Sequence, residues 1–448
     1  MSETKVEDSV REVAPTTGGH GMSLDELHHQ AFVRNETFSF IPEPEPRERT
    51  YAIVSVDDHL LEPSTLFTGR IPKRMMNDAP KFITREDGGN SWVLDGVEHP
   101  ISMMNAPVGR PKSEWVFGPV NFDEVRRGAW DIEARIADMD VAGVYASLGF
   151  PSITWGFAGQ RLSSLKDTKL GLACVKAYND WVVEEWAGPH PDRIIPCQIP
   201  WFRDLDEAVR EIHRNAERGV RAVAFTENPE MIGYPSLHTG YWDPFFAACE
   251  ETGTVLNLHV GSASWTPIPS SDSPGECVST LFAMTSILAV TDWLWSYVPL
   301  RFPGIRIALS EGGISWVPMI HDRLVHMGRS AETLQSWPKD APPPNEVFLR
   351  NFRFASYFDP LVWRVLPQVA ADSILVEVDY PHADSTWPDS QRVLDEQIAY
   401  LDPEIIRKVT YRNACELFEH PLPPAGWAKF GENAADTAPA DTAPRVAP

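Results

Sequence analysis

Cysteine is scarce in this 448-residue chain. The five are Cys174, Cys197, Cys249, Cys277 and Cys415, odd in number and widely spread, with no C-x-x-C pair. A disulfide framework is therefore not expected, and a reducing, cytoplasmic setting is the natural reading. Positive charge is also short: 39 Lys and Arg face 63 Asp and Glu, a formal net charge of −24. That balance excludes the basic footprint of a nucleic-acid binder and argues against an anionic membrane surface as partner. The first residues, MSETKVEDSVREV, contain no apolar stretch of the secretory kind. The longest apolar run, 281–300, is interrupted by Thr285, Ser286, Thr291, Asp292 and Ser296, so it reads as a buried helix rather than a membrane span. No phosphate-cradling glycine loop is present either, because Gly312-Gly313 lacks the Lys-Ser/Thr that follows in a P-loop.

What is abundant is apolar: 43% of residues are hydrophobic and 10% aromatic, enough to bury a large core. Both ends look different from the middle. Residues 1–49 form an expected flexible arm, ending in the proline-stiffened IPEPEPRER, and 425–448 form an expected disordered Ala/Pro-rich tail. The expected folded body is 50–424.

Within that body, eight short β-branched-rich runs alternate with amphipathic segments. The strand-like runs are 52–56, 144–150, 194–199, 220–225, 255–258, 306–309, 354–358 and 374–378. The helical patterns between and after them cover 131–141, 167–186, 205–218, 243–251, 280–298, 316–334, 361–370 and 390–399. Repeated strand–helix alternation with apolar strands implies a parallel sheet covered by helices. Eight repeats predict closure into an α/β fold of the (β/α)8 TIM-barrel type, with an open doubly wound sheet as the alternative. About seventy residues separate the first strand from the first long helix. They include KFITREDGGNSWVLDG, whose Asp87-Gly88-Gly89-Asn90 reads as a hairpin turn.

Metal-competent side chains collect at the ends of the strand-like runs. The first ends Asp57-Asp58-His59 with Glu62 just beyond, the fifth at His259, the sixth at Glu311, and the eighth at Asp379 with His382 close behind. In an extended strand alternate residues share a face, which puts Asp57 and His59 together at the barrel mouth. The C-terminal ends of barrel strands are where such folds do chemistry, so Asp57, His59, Glu62, His259, Glu311, Asp379 and His382 are the expected metal donors. Farther out, His238, Trp265, Trp387 and Arg110 are candidate substrate contacts, each also explicable as a structural or surface residue.

These residues resemble the amidohydrolase superfamily, in particular the branch of aminocarboxymuconate-semialdehyde and hydroxybenzoate-type decarboxylases. Asp57-x-His59, His259 and Asp379 fall where that branch has its first-, fifth- and eighth-strand donors. His190-Pro191-Asp192-Arg193, Tyr241-Trp242-Asp243-Pro244 and Asp379-Tyr380-Pro381-His382 resemble stretches common in it, over about residues 50–420. Three departures stand out. Leu61 occupies the place of a second first-strand imidazole, and strand four ends Phe225-Thr226-Glu227 without the lysine that two-metal hydrolases carboxylate. Glu311 replaces the usual sixth-strand His.

The resemblance implies a divalent metal, one or two ions of Fe, Mn or Zn, with Asp379 as proton carrier and His382 and Glu311 as ligands or proton shuttles. Three readings remain open. The first is hydrolysis or decarboxylation of a small carboxylated, aromatic or amide substrate by metal-activated water. The second, suggested by the carboxylate-heavy donor set, is a dinuclear iron or iron–manganese monooxygenase on the same barrel. The third is a non-catalytic scaffold. The expected partner is a small molecule, and the chain is expected to be a homo-oligomer or to pair with a related subunit.

Overall fold

A computed structural model describes residues 21–23, 34, 37–270, 272–330 and 334–432. Eight parallel strands close into a barrel: β1 (Ile53–His59), β2 (Val144–Phe150), β3 (Ile194–Gln198), β4 (Ala222–Phe225), β5 (Val255–His259), β6 (Ile307–Ser310), β7 (Phe352–Ser356) and β8 (Ile374–Val376). Each strand pairs with its neighbour in sequence, and β8 returns to β1 through Val376 and Ser55. The expected barrel is therefore the observed one, and all eight strand-like runs are strands. Their apolar residues are buried on both faces, as a helix-covered parallel sheet requires.

The first three covering helices begin where acidic side chains satisfy free amides. Asp131 caps α1 (Ile132–Ala142), Asp167 caps α2 (Thr168–Trp181) and Asp204 caps α3 (Leu205–Glu217). Further round lie α4 (Asp243–Thr252), α5 (Phe282–Trp295), α6 (Val317–Gly328), α7 (Pro344–Asn351) and α8 (Ser390–Ile398). Gly253, left-handed, stops α4. The apolar run 281–300 is mostly α5, and no helix among the described residues is long and apolar enough to cross a membrane.

One expected element needs correction, and one helix was not expected. The pattern over 361–370 yields only a turn at Val362–Arg364 and a second at Pro367–Ala370. Pro367 starts the second turn but cannot continue the first, and Leu361, Val365 and Val369 are left exposed. The layer beside β7 is built instead by α7, which the sequence pattern did not reveal.

The long connection after β1 carries an antiparallel three-stranded sheet, Lys81–Thr84, Asn90–Leu94 and Val97–Pro100, with the anticipated turn between the first two. Gly88 is left-handed there, and Asp87 accepts from the Gly89 amide at 2.9 Å. Gly21–Ser23 pairs antiparallel with Trp265–Pro267 in the loop after β5.

The ordered body runs past Pro424. The Phe430 ring stacks on Tyr51 at 5.6 Å, and Arg49 lies over Trp427 at 3.9 Å. The buried Glu432 carboxylate accepts from Tyr411 Oη at 2.7 Å and from Arg412 Nε at 2.6 Å. The tail expected from 425 is thus packed on the body as far as Glu432, because its few aromatic and acidic side chains find partners. Residues 433–448 lie outside the described residues. Glu432→Ala strands the Tyr411 hydroxyl and leaves the Arg412 guanidinium its Glu404 partner, so it is expected to cost about 2 kcal/mol in a denaturant titration. A loss below measurement would show that this segment adds nothing to the fold.

Candidate metal centre

The donor residues are delivered by backbone that departs from ideal strand geometry. The pairing of β1 with β2 slips between Ser55 and Asp58, so the strand bulges just before its tip. Asp57 and His59 turn into the barrel mouth, whereas Asp58 turns outward to accept from Ser147 Oγ and, at 2.9 Å, from the Tyr380 amide. His259 ends β5 in register with Ser310 of β6. Glu311 and Asp379 follow β6 and β8 with φ of 61° and 56°, the left-handed region that favours glycine. Strained backbone of this kind is retained where it aims a side chain that the site needs.

Six side chains meet as a result. His59 Nε2 and His259 Nε2 are 3.0 Å apart. His59 Nε2 is 3.4 Å from both Asp57 Oδ1 and Asp379 Oδ1. His259 Nε2 lies 3.2 Å from Glu311 Oε2 and 3.6 Å from Asp57 Oδ2. His382 Nδ1 is 3.1 Å from Asp379 Oδ1, and its ring stacks on His59 at 3.6 Å. Donor atoms sharing one ion at about 2.1 Å lie about 3.0–3.4 Å apart, so the spacing matches a common cation. Three overlapping triads each bring one donor atom per residue within 4.8 Å of the others: His59, His259 and His382; Asp57, His59 and Asp379; Glu311, Asp379 and His382.

The electrostatics call for positive charge. Asp57 and Asp379 are completely buried, and among the described residues none of their four oxygens receives a hydrogen bond. Burial, reinforced by Glu377, Asp379 and Glu311, pushes the Asp57 carboxyl well above its usual range. Burial does the same to Asp379, with Asp384 and Asp58 adding to it, and to Glu311, with Asp379 and Asp384 adding. Burial also lowers all three imidazoles, His259 and His382 to about 3. Neutral imidazoles beside unpaired carboxyls are poor company for each other but the right donors for a cation, whose charge reverses these shifts. The Val260 carbonyl lies 2.6 Å from His259 Nδ1 and accepts its N–H, which keeps the proton on Nδ1 and leaves the Nε2 lone pair for coordination. The residues fit a divalent ion held by hard oxygens and imidazole nitrogens.

A clamp backs the donors. The buried Arg135 guanidinium donates to the His59 carbonyl and, at 2.7 Å, to that of Gly128, and lies 4.3 Å from the Tyr380 ring. Tyr380 Oη donates to Asp138 at 2.5 Å, and Asp138 accepts twice from Arg126. Strand-one and strand-eight donors are thereby tied to the same scaffold.

The remaining expected site residues lie elsewhere. Glu62 is no part of the donor cluster: its two oxygens accept from Ser152 N at 2.9 Å and Ser152 Oγ at 2.7 Å, holding the loop after β2. Arg110 donates to the Glu124 carbonyl within the insertion. Trp387 donates to the Asp138 carbonyl and packs under Arg126. His238 is half exposed and bonds Asp292 at 2.7 Å, and Trp265 sits in the ribbon with Gly21–Ser23. Residues that sequence reasoning passed over include Glu377, Asp384 and Phe157. Glu377 was detectable, since it directly follows β8 and precedes the donor Asp379 by two positions. Its Oε2 accepts from the Glu311 amide at 3.1 Å.

Burial raises the Glu62 carboxyl to about 7. A folded-state value above the unfolded one favours folding while the group is protonated, and that contribution is lost as pH rises from about 4.5 through 7. Wild type should therefore lose up to about 3 kcal/mol relative to Glu62→Gln across that window. Parallel stability–pH curves for the two proteins would contradict the assignment.

A family model described as Amidohydrolase matches residues 87–419, and the chain belongs to that family. Solved structures share the fold at low identity. An amidohydrolase from Mycobacterium avium subsp. paratuberculosis is 21% identical with a TM-score of 0.64, over 82% of this chain and 99% of its own. The 5-carboxyvanillate decarboxylase of Novosphingobium aromaticivorans, solved with manganese and 4-hydroxy-3-methoxy-5-nitrobenzoic acid, is 18% identical with a TM-score of 0.56, over 85% and 100%. That of Sphingomonas paucimobilis is 21% identical with a TM-score of 0.53, over 66% and 85%. No curated protein matches the chain by sequence.

Proposed function

We propose that this chain is a divalent-metal-dependent enzyme that decarboxylates or hydrolyses a small carboxylated, aromatic or amide substrate. The observation that carries the reading is the convergence of three imidazoles and three carboxylates, of which Asp57 and Asp379 receive no hydrogen bond among the described residues. Decarboxylation receives added support from the fold shared with the 5-carboxyvanillate decarboxylases.

A cation bound by these donors supplies Lewis acidity, polarising a substrate oxygen and acidifying water. The chain's own residues supply proton handling and exclusion of solvent. Asp379, a buried carboxyl among the donors, carries the reacting proton. In decarboxylation it delivers that proton to the carbon from which CO2 departs; in hydrolysis it takes one from the attacking water. His382 Nδ1, 3.1 Å away, is placed to exchange that proton with Asp379. Phe150 and Phe157 pack against the imidazoles and shield them from bulk solvent.

A second reading rests on the number of donors. Six exceed the four of one tetrahedral ion and fall into overlapping triads, one of them Glu311, Asp379 and His382. That supports two ions of higher coordination, iron or iron with manganese, and hydroxylation of a small molecule by O2. One experiment separates the readings: metal-loaded protein is incubated with a panel of small aromatic carboxylates, amides and esters in labelled water, with and without O2. CO2 release with solvent hydrogen at the vacated carbon marks decarboxylation, and water oxygen in the product marks hydrolysis. Turnover only with O2, with its oxygen in the product, would overturn the first reading in favour of the second. No turnover under any condition would leave the scaffold reading standing.

A further inference from the structure

The loop after β2 lays an aromatic ring across the donor cluster. Phe157 stacks on His259 with ring centres 4.1 Å apart and planes 25° apart. It meets His59 edge-on at 5.3 Å and His382 at 6.1 Å. A single ring thus touches all three imidazoles of the donor cluster.

Two independent features mark this ring as more than filler. Phe157 is buried, yet it groups only with Ile153 and stands outside the main hydrophobic core. Its packing is spent on the imidazoles. Its φ is 63°, and for a bulky residue the left-handed region is a true outlier. The neighbours Gly156 and Gly159 are left-handed too, with φ of 83° and 75°, so the segment can change course on either side of the ring. Its base, by contrast, is pinned. Ser152 is held by Glu62, and Gln160 donates to the Ser262 carbonyl at 3.1 Å. A ring on a short left-handed segment between two fixed anchors is built to turn while the loop stays in place.

We propose that Phe157 is the gate of the donor cluster. In the state described, its ring covers the His259 face; a planar ligand reaches the donors only when the ring turns aside, and the ring then forms the ligand's wall. Small ions pass without that movement, so the gate discriminates by size. The proposal rests on the metal-centre reading for its purpose but not for its geometry, and the tests separate the two.

The first test uses metal-free protein. Carbethoxylation by diethyl pyrocarbonate is mapped by mass spectrometry at His259, with half-exposed His238 as internal reference. Phe157→Gly removes the ring without imposing a Cβ on a left-handed residue. The His259 rate is expected to rise at least tenfold while His238 changes less than twofold. An unchanged His259 rate would overturn the gate. So would a rise shared equally by His238, the mark of general loosening.

The second test uses cobalt-loaded protein and follows formate and benzoate association by visible absorbance. Benzoate should bind at least tenfold faster to Phe157→Gly, with formate and cobalt affinity within twofold of wild type. Equal acceleration of both anions would contradict size gating. Phe157→Leu, which keeps apolar bulk, carries the same comparisons if the glycine variant does not fold, with an expected change of about threefold. Wild type that binds no cobalt would remove the metal-centre reading and leave carbethoxylation to decide the gate.

Discussion

Asp379→Asn is expected to lower turnover by at least a thousandfold while the barrel stays folded. Asparagine keeps the shape and the left-handed backbone, which Asn tolerates as well as Asp, but it cannot accept and return a proton. It also replaces one of two buried carboxyls whose oxygens receive no hydrogen bond among the described residues. The metal-free variant should therefore be at least as stable as metal-free wild type, because a buried unpaired carboxyl is costly. The combination distinguishes a catalytic role from a structural one. Loss of stability alongside loss of turnover, or activity within tenfold of wild type, would count against Asp379 as proton carrier.

His259→Ala is the second large effect. Replacing residues that merely orient a metal ligand typically lowers affinity 10–100-fold, and removing a ligand outright should exceed that. The Nε2 of His259 lies within 3.6 Å of donors on His59, Asp57 and Glu311, so its loss opens several pairwise contacts at once. Wild type should gain about 2.7 kcal/mol of stability when the ion is present at a hundred times its dissociation constant. His259→Ala should gain almost none at the same concentration. Thermal unfolding with and without manganese, on both proteins, provides the check, and equal stabilisation of the two would remove His259 from the ligand set.

The barrel and most of the donor cluster were legible in the sequence because both follow from short-range regularities. Eight apolar runs separated by helical spacing leave few other architectures, and a strand tip can be located to within a residue or two. His259, Glu311 and Asp379 emerge from that logic as soon as the strands are placed. Glu62 does not, because a carboxylate just past a strand reaches either the mouth or the next loop, and it reached Ser152. The bulge in β1 was hidden for a related reason: pairing slips depend on the partner strand, and alternation within one strand cannot report them.

Residues fixed by contacts far along the chain were the hardest to read. Arg110 looks like a free cation in a loop, yet its guanidinium is held within the insertion by the Glu124 carbonyl. Trp387 follows a donor strand and reads as a pocket wall, but its indole N–H is committed to the Asp138 carbonyl, 249 positions away. Phe157 gave no signal at all, since an aromatic between two glycines is unremarkable until its backbone proves left-handed. The failed helix over 361–370 shows the converse error, where a good apolar period met a proline at 367.

Metal stoichiometry tests the central claim most directly. Wild type and His259→Ala are purified from cells supplied with iron, manganese and zinc, dialysed together, and analysed for metal per chain. One or two tightly held divalent ions in wild type, falling below a tenth of that in the variant, is the predicted result. Wild type that emerges without stoichiometric metal, and whose unfolding temperature no added divalent ion raises, would contradict it.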